Sequence, residues 1–403
     1  LRICLLNQFY PPDTAATGQL LADVAEALAS RGHHVHVICS QRAYDGGNVT
    51  DALTPSSVCV RRVAATGFGR GNLLGRGIDY ASFYMLALRD VLALPPMDVC
   101  VSLTTPPFIG MVAAALKRRR KTRLVLWSMD VYPEVAVALG VLSAGSTMHR
   151  FLAAAARRLY GAADAIVSLG DVMTQRLISA GAEASRIVTA ANWVPGEGVF
   201  PIAPRASAAR QLWSPDRRTT VMYSGNLGMG HELDTALEAV AQLDNRSDLR
   251  VLLVGRGAMR ERLQRLAGEL NLENVEFHPP QPLAKLADTL AAGDVHLVAQ
   301  RPGTQGLIVP SKLYGIMAAG RAVLYVGPDD TEVAETIRRA DCGLIAPPGD
   351  APAVADALRA LIGDADRRVD MGRRGREYYE SHLGRDRSVG RIVDVIERQA
   401  RAG

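Results

Sequence analysis

Short apolar runs separated by stretches of helical spacing, a pattern that occurs twice along the chain, constrain its fold more than any other feature. In the first half the runs fall at 2–7 (RICLLN), 35–39 (VHVIC), 58–63, 99–103, 123–128 and 164–169. Between them, 19–30 carries Leu20, Val24, Ala27 and Leu28 at helical spacing and stops before Gly32, and the same periodicity marks 78–93, 107–119 and 148–161. Helices between successive apolar strands imply right-handed crossovers and a parallel sheet. Prolines and polar residues crowd 195–216, which reads as a linker. The grammar then restarts, with strands at 219–224, 250–254, 274–277, 294–299 and 322–326 and helices at 232–243, 258–270, 283–291, 311–319 and 331–340. Two doubly wound α/β domains follow, 1–200 and 201–382, each placing ligands outside the carboxyl ends of its strands, with a shared central cleft as the natural site. A length of 403 residues agrees, since single cores seldom grow beyond about 250–300. The closing helices, 364–381 and 385–402, exceed what the second sheet needs, so 383–403 is expected to return to the first domain.

Several classes are set aside by composition. No apolar run reaches membrane-spanning length; 83–94, the longest candidate, is broken by Arg89 and Asp90. No secretory leader is recognisable, and Cys4, Cys39, Cys59, Cys100 and Cys342 form no C-x-x-C pair. Buried, reduced thiols in a cytoplasmic protein are the expectation. A formal net charge of +5 favours an anionic ligand or surface. The run Lys117-Arg118-Arg119-Arg120-Lys121 closes an apolar helix, where cations complement the dipole. Peripheral contact with anionic lipid at the inner face of the plasma membrane is the alternative. No aromatic residues interleave with these charges, so nucleic acid is not an expected partner.

The turns carry the chemistry. A dinucleotide fingerprint, G-x-G-x-x-G, is missing after the first strand, and Gly255-Arg256-Gly257 lacks its third glycine because Arg260 stands there. Thr17-Gly18 either presents backbone to a ligand or simply starts a helix. In 225–230 (GNLGMG) three glycines follow an apolar strand and precede a helix, which lets backbone approach a phosphate; Arg256 adds a charge able to meet one. In 303–320 (GTQGLIVPSKLYGIMAAG) Ser311 reads as an N-cap, and Lys312 falls in the first helical turn, where a cation is unfavourable unless an anion sits there. Gly315 inside that helix costs about 1 kcal/mol relative to Ala, which suggests close approach by ligand or backbone. At the end of a first-half strand, Trp127-Ser128-Met129-Asp130-Val131-Tyr132-Pro133-Glu134 sets two carboxylates beside aromatics. That suits sugar recognition, with an Asp that caps a loop as the competing reading.

Together YSGNLG at 223–228, VPSKLYGIMAAG at 309–320 and DVYPE at 130–134 resemble the retaining GT4-family glycosyltransferases of GT-B fold, over essentially the whole chain and nearest to their WbuB/WcaI-like bacterial branch. The resemblance implies two Rossmann-like domains and a hexosyltransferase that moves a sugar from a nucleotide-diphosphate sugar to an acceptor hydroxyl with retention. A UDP-sugar is the family default, and no cofactor or metal is required. The product is expected to be a polysaccharide, another glycoconjugate or a glycosylated metabolite. On this reading the donor contacts Gly18, Gly225, Asn226, Arg256, Gln281, Gln305, Gly306, Leu307, Ser311, Lys312 and Glu332. The acceptor, a lipid-linked saccharide or small molecule, meets Asp130, Tyr132 and Glu134 on the N-terminal domain. Asp130 and Lys312 are the expected catalytic groups. The chain also departs from the family: Asn226 and His231 stand where many members carry Arg and Lys, and a Glu-x7-Glu pair is replaced by Leu307 (or Gln305) and Gly315. Lys312 and Arg256 then substitute in neutralising the diphosphate, and Glu332 becomes the ribose candidate. Two alternatives remain: a nucleotide-sugar epimerase on the same architecture, which would need carboxylates and histidines that are sparse here, and a secreted, non-catalytic sugar-binding protein.

Overall fold

The computed structural model describes residues 1–43, 47–49, 57–68, 73–195, 198–216, 218–243 and 248–402. The chain divides into two compact units, Leu1–Gly196 with Arg385–Gly403, and Glu197–Gly384.

Unit 1 holds strands β1 (Arg2–Leu6), β2 (His34–Ser40), β3 (Val58–Val63), β4 (Val99–Ser102), β5 (Arg123–Trp127), β6 (Ala165–Ser168) and β7 (Ile187–Thr189). Its helices are α1 (Ala16–Ser30), α2 (Leu73–Ala93), α3 (Gly110–Arg120), α4 (Glu134–Ala138), α5 (Thr147–Ala162) and α6 (Asp171–Ser179). The strands pair in parallel in the order β3-β2-β1-β4-β5-β6-β7, with Cys4 opposite Cys100 at the centre. Every residue of β4 and β6 is buried, as expected of parallel strands covered on both faces. Helix α1 buries Leu20, Leu21, Val24 and Leu28 and ends at Gly32, where φ is +81°. The short elements β7, α4 and α6 had no assignment from periodicity, being too short to show a period. Cys59 is exposed while the other four thiols are buried, which corrects the expectation for that residue; all five are free.

Unit 2 begins where the sequence suggested a linker. Within 195–216, residues 196 and 197 lie outside the described residues, but Ala208–Trp213 forms helix α7. Ser207 caps it by accepting from Arg210 N, the Asp288 carboxylate accepts from the backbone N–H of Ala208 and Ala209 (2.8 and 3.0 Å), and Trp213 is buried. The segment is therefore structure, held by caps that polar composition disguises. There follow β8 (Thr219–Ser224), α8 (Asp234–Ala241), β9 (Leu249–Val254), α9 (Arg260–Glu269), β10 (Val275–His278), α10 (Leu286–Ala291) and β11 (Val295–Ala299). Then come α11 (Lys312–Ala318), β12 (Ala322–Val326), α12 (Glu332–Ala340), β13 (Gly343–Ala346), α13 (Ala351–Gly363) and α14 (Ala365–Tyr378). The six strands are all parallel, in the order β10-β9-β8-β11-β12-β13. Strand β13 and helix α13 extend the alternation by one unit beyond the sequence reading.

After a turn of π-helix at Tyr379–Leu383, the last helix, α15 (Arg385–Arg401), packs on α1 and the central strands of unit 1. Arg385 pairs with Asp23 at 2.9 Å, and Asp23 also accepts from the Trp193 indole at 2.6 Å. No helix among the described residues is long and apolar enough to cross a membrane.

Candidate functional site

Strand order in unit 2 reverses between β8 and β11, and doubly wound sheets bind ligands outside the strand ends at such a reversal. The loop after β8 rests on the loop after β9: Gly225 N donates to Val254 O (2.9 Å) and Leu227 N to Arg256 O (2.8 Å). Gly255 and Gly257 both have φ +154°, and a Cβ on either would stand 1.9 Å from Gly225 O or 2.2 Å from Leu227 O. These glycines therefore let one loop lie on the other. Arg260 ties the loop after β9 to the end of β10 by donating to Gly255 O (2.6 Å) and His278 O (3.0 Å), a task a third glycine could not perform. Asn226 and Arg256 are exposed on the two loops.

The loop from β11 to α11 joins them through Arg301 N, which donates to Gly230 O at 3.0 Å. The buried Gln300 amide pins this loop by donating to Thr304 O (3.2 Å), while its Oε1 accepts from the Tyr325 hydroxyl (3.0 Å). Gln305 is half-buried here, Gly306 has φ +67°, and Leu307 is buried with its N–H on Thr304 O (3.0 Å). Ser311 makes no side-chain capping bond, contrary to the sequence reading, because its backbone is already helical.

Lys312 is not the exposed helix-start cation that spacing suggested. Its side chain folds inward, Nζ donating to the Tyr223 hydroxyl at 2.9 Å and lying 4.4 Å from that ring's centroid. The hydroxyl in turn donates to Asn226 O at 2.7 Å. A Cβ at Gly225 would stand 3.2 Å from Lys312 Cε, so the absent side chain makes room for the lysine. Among the described residues Lys312 has no ion pair, and burial lowers its ammonium to about 7. His231, edge-on to Tyr223, shares a 2.9 Å hydrogen bond between Nδ1 and Ala299 O. Burial, with the Lys312 charge adding, pushes the imidazole down to about 3 and keeps it neutral.

Other expected donor residues are placed less directly. A Cβ on Gly315 would meet only Leu290 Cδ1 at 3.4 Å, so among the described residues no other segment's backbone approaches it, which corrects that half of the expectation. Glu332 is buried at the start of α12, its charge reaching the Tyr314 and Tyr325 hydroxyls. Gln281 follows the edge strand β10 and donates to Pro279 O at 3.0 Å. Gly18 belongs to unit 1, where a Cβ would stand 2.9 Å from Phe9 C; packing against the chain's own backbone accounts for this glycine.

In unit 1 a second cluster forms beyond β5. Thr104 Oγ1 accepts from Met129 N (3.0 Å) and Asp130 N (3.2 Å), which fixes the turn. Burial raises the Asp130 carboxyl to about 6. Tyr132 lies 6.4 Å from Phe108, ring to ring, and its carbonyl accepts from the Tyr160 hydroxyl at 3.5 Å. Glu134 opens α4 with Oε2 buried and without a hydrogen-bond partner. Burial first, then the charges of Asp130, Tyr80 and Tyr84, drive the Tyr132 hydroxyl far up. Sequence reasoning found Asp130, Tyr132 and Glu134 but missed Tyr80, Tyr84 and Phe108, which come from α2 and the turn before α3. The basic run divides: Lys117 is spent on Ala162 O (2.8 Å) and Asp164 (2.7 Å), and Arg120 on the carbonyls of Leu92 and Leu94. Arg118, Arg119 and Lys121 stay exposed.

Comparison with known proteins agrees with this division of the chain. Residues 16–193 match the family described as glycosyl transferase 4-like domain, and 218–364 match glycosyl transferases group 1. The putative colanic acid biosynthesis glycosyl transferase WcaI of Escherichia coli K12 is 24% identical over 98% of this chain and 100% of its own length. Sucrose-phosphate synthase from Thermosynechococcus elongatus superposes with a TM-score of 0.79 at 18% identity, covering 100% of this chain and 99% of that one. HepE of Anabaena, solved with UDP and glucose, gives 0.72 at 16% identity, covering 98% and 99%. These likenesses establish the GT-B fold, two parallel-sheet Rossmann-like domains, and lend no support to an epimerase.

Proposed function

We propose that this chain, which belongs to the GT4-like glycosyltransferases of GT-B fold, transfers a glycosyl group from a UDP-sugar to an acceptor hydroxyl with retention at the anomeric carbon. The observation that carries the donor half is Lys312: a half-buried cation at a sheet's ligand edge, beside a glycine-lined loop and without a carboxylate partner among the described residues. A diphosphate supplies the charge such a group lacks. As the bond from the anomeric carbon to the diphosphate oxygen breaks, negative charge grows on the leaving group, and Lys312 meets it. The acceptor oxygen bonds to the anomeric carbon on the same face and gives its proton to the leaving phosphate, so no strong protein base is needed. Asp130, in a turn fixed by Thr104, orients that hydroxyl and steadies positive charge on the sugar. Tyr132 and Glu134 hold the rest of the acceptor. The UDP seen with HepE supports the choice of nucleotide, and the likeness to WcaI supports a role in polysaccharide or other glycoconjugate synthesis. No metal takes part. UDP should raise Tm without magnesium by more than GDP or ADP does, and nucleoside diphosphate should be released faster with acceptor present. Equal shifts with all three nucleotides, or a strict need for metal, would overturn the donor assignment.

A second observation favours an acceptor carried on an anionic lipid surface, with the enzyme at the cytoplasmic face of the membrane. Between residues 99 and 163 only Asp130 and Glu134 are acidic, against nine Lys and Arg, whereas the whole chain holds 41 acidic and 46 basic residues. Helix α5 has no acidic residue and exposes Met148 (57%) and Phe151 (65%) together with Arg150, Arg157 and Arg158. Apolar side chains flanked by cations are what an interfacial helix needs. This moves the expected contact from the basic run alone to α5, with Arg118, Arg119 and Lys121 in support.

A further inference from the structure

Tyr223 has no place in the sequence-derived site, yet it touches Lys312, Asn226 and His231 at once. Its hydroxyl accepts from Lys312 Nζ (2.9 Å), 89 residues later in the chain, and donates to Asn226 O (2.7 Å), so one oxygen ties the lysine of α11 to the glycine loop. Its ring lies under the ammonium at 4.4 Å and meets the His231 ring edge-on at 6.1 Å between centroids. Burial and the Lys312 charge, against the opposing Ala299 hydrogen bond, keep His231 neutral, so it adds no second cation where many family members carry a lysine.

We infer that Tyr223 is the positioning residue of the donor site: it holds Lys312 against the 225–230 loop in a socket without a carboxylate, and the diphosphate of the donor completes the charge. The inference rests on the reading of this loop cluster as the diphosphate site. Its geometry has two consequences. An ammonium held by a neutral phenol oxygen and a ring face, and by no anion, is easily discharged by burial, and burial does bring it to about 7. Binding of an anion restores the charge, so donor binding takes up a proton above neutrality. Removal of the phenol oxygen withdraws an acceptor that the ammonium uses more strongly than the neutral amine does, so the ammonium then discharges at still lower pH. The groups that face Lys312 are Tyr223 from β8, His231 from the loop after it, and the Gly225 backbone; the imidazole does not titrate in the working range.

The test uses the full chain with UDP as probe. Tyr223→Phe keeps the ring and should fold, as a melting curve checks. Transfer should fall about tenfold or more, mainly in kcat, and the alkaline loss of UDP binding should move to lower pH. Calorimetric UDP titrations of the unaltered protein, in buffers of different ionisation enthalpy, should show proton uptake that grows from pH 6 to pH 8. That second measurement stands even if Tyr223→Phe melts below the assay temperature. An unchanged pH profile and kcat in a folded Tyr223→Phe, or no proton uptake by the unaltered protein, overturns the inference. Lys312→Met separates this failure from failure of the site itself. If UDP binding survives Lys312→Met, the diphosphate lies elsewhere; if only Tyr223→Phe is silent, the site stands and the positioning role falls.

Discussion

Each unit holds a half-buried ionisable group beyond the carboxyl ends of its strands, Lys312 in one and Asp130 in the other, and desolvation acts on the two in opposite directions. Lys312 in unit 2 is lowered to about 7, and Asp130 in unit 1 is raised to about 6. The physical cause is the same, because removal from water disfavours whichever form is charged. Their surroundings differ. Lys312 lies among backbone, a phenol and a neutral imidazole, a setting that an anion completes. Asp130 lies near Tyr132, whose ring is 6.4 Å from that of Phe108, and its turn is fixed by the Thr104 hydroxyl, a setting that holds no cation among the described residues and accepts sugar hydroxyls and ring faces. On the proposed reading, a single fold repeated twice gives one edge suited to a diphosphate and one suited to a sugar, through a few side chains at the strand ends.

The strongest way to break this contrast is to neutralise each group separately. Lys312→Met should lower transfer by about 100-fold or more and abolish stabilisation by UDP. Asp130→Asn should cost about 10- to 100-fold in kcat while the UDP-induced rise in Tm persists. If Asp130→Asn removes UDP stabilisation as well, the assignment of one ligand to each unit is wrong.

A smaller effect sharpens the same contrast through stability. Folding lowers the Lys312 value, so the unfolded chain binds the extra proton between about 7 and 10.5, and stability rises with pH across that window. Folding raises the Asp130 value, so stability falls as pH rises from 3.8 through about 6. Lys312→Met should therefore raise Tm below pH 7 and lose that gain toward pH 10. Asp130→Asn should raise Tm above pH 6 and not below pH 4. Domains of this size shift by about 2–4 °C per kcal/mol, so scanning calorimetry across pH resolves both. Variants with flat or parallel profiles would show that burial does not strain these groups.

The smallest expected effect concerns the surface of unit 1. Binding to acidic vesicles should weaken with salt, and more with Phe151→Ser than with Arg120→Gln, since Arg120 is held by backbone carbonyls. Each exposed cation near such a surface is worth about 1 kcal/mol, so Arg118→Gln with Arg119→Gln should weaken binding about thirtyfold, to be read by vesicle co-sedimentation. Equal losses from Arg120→Gln and Phe151→Ser would return the contact to the basic run.

The two sheets, their parallel sense and the glycine loops after β8 and β9 were legible in the sequence because each rests on a local pattern. Apolar runs and helical spacing are read within a few residues, and a glycine cluster between strand and helix announces a close approach wherever it falls. Elements without a period, such as α4, α6 and β7, were not legible, and α7 hid in a polar stretch because its caps come from Ser207 and the distant Asp288. The site divides in the same way. The positions of Lys312 and Asp130 beside their turns could be read, but not their state. Whether Lys312 points to solvent or onto Tyr223, whether Gly255 and Gly257 serve a ligand or a neighbouring loop, and which aromatics join Tyr132 are settled by contacts between distant segments. Residue type and spacing follow from the chain itself, whereas desolvation, which decides the charge on a buried lysine or carboxyl, exists only once those segments have packed together.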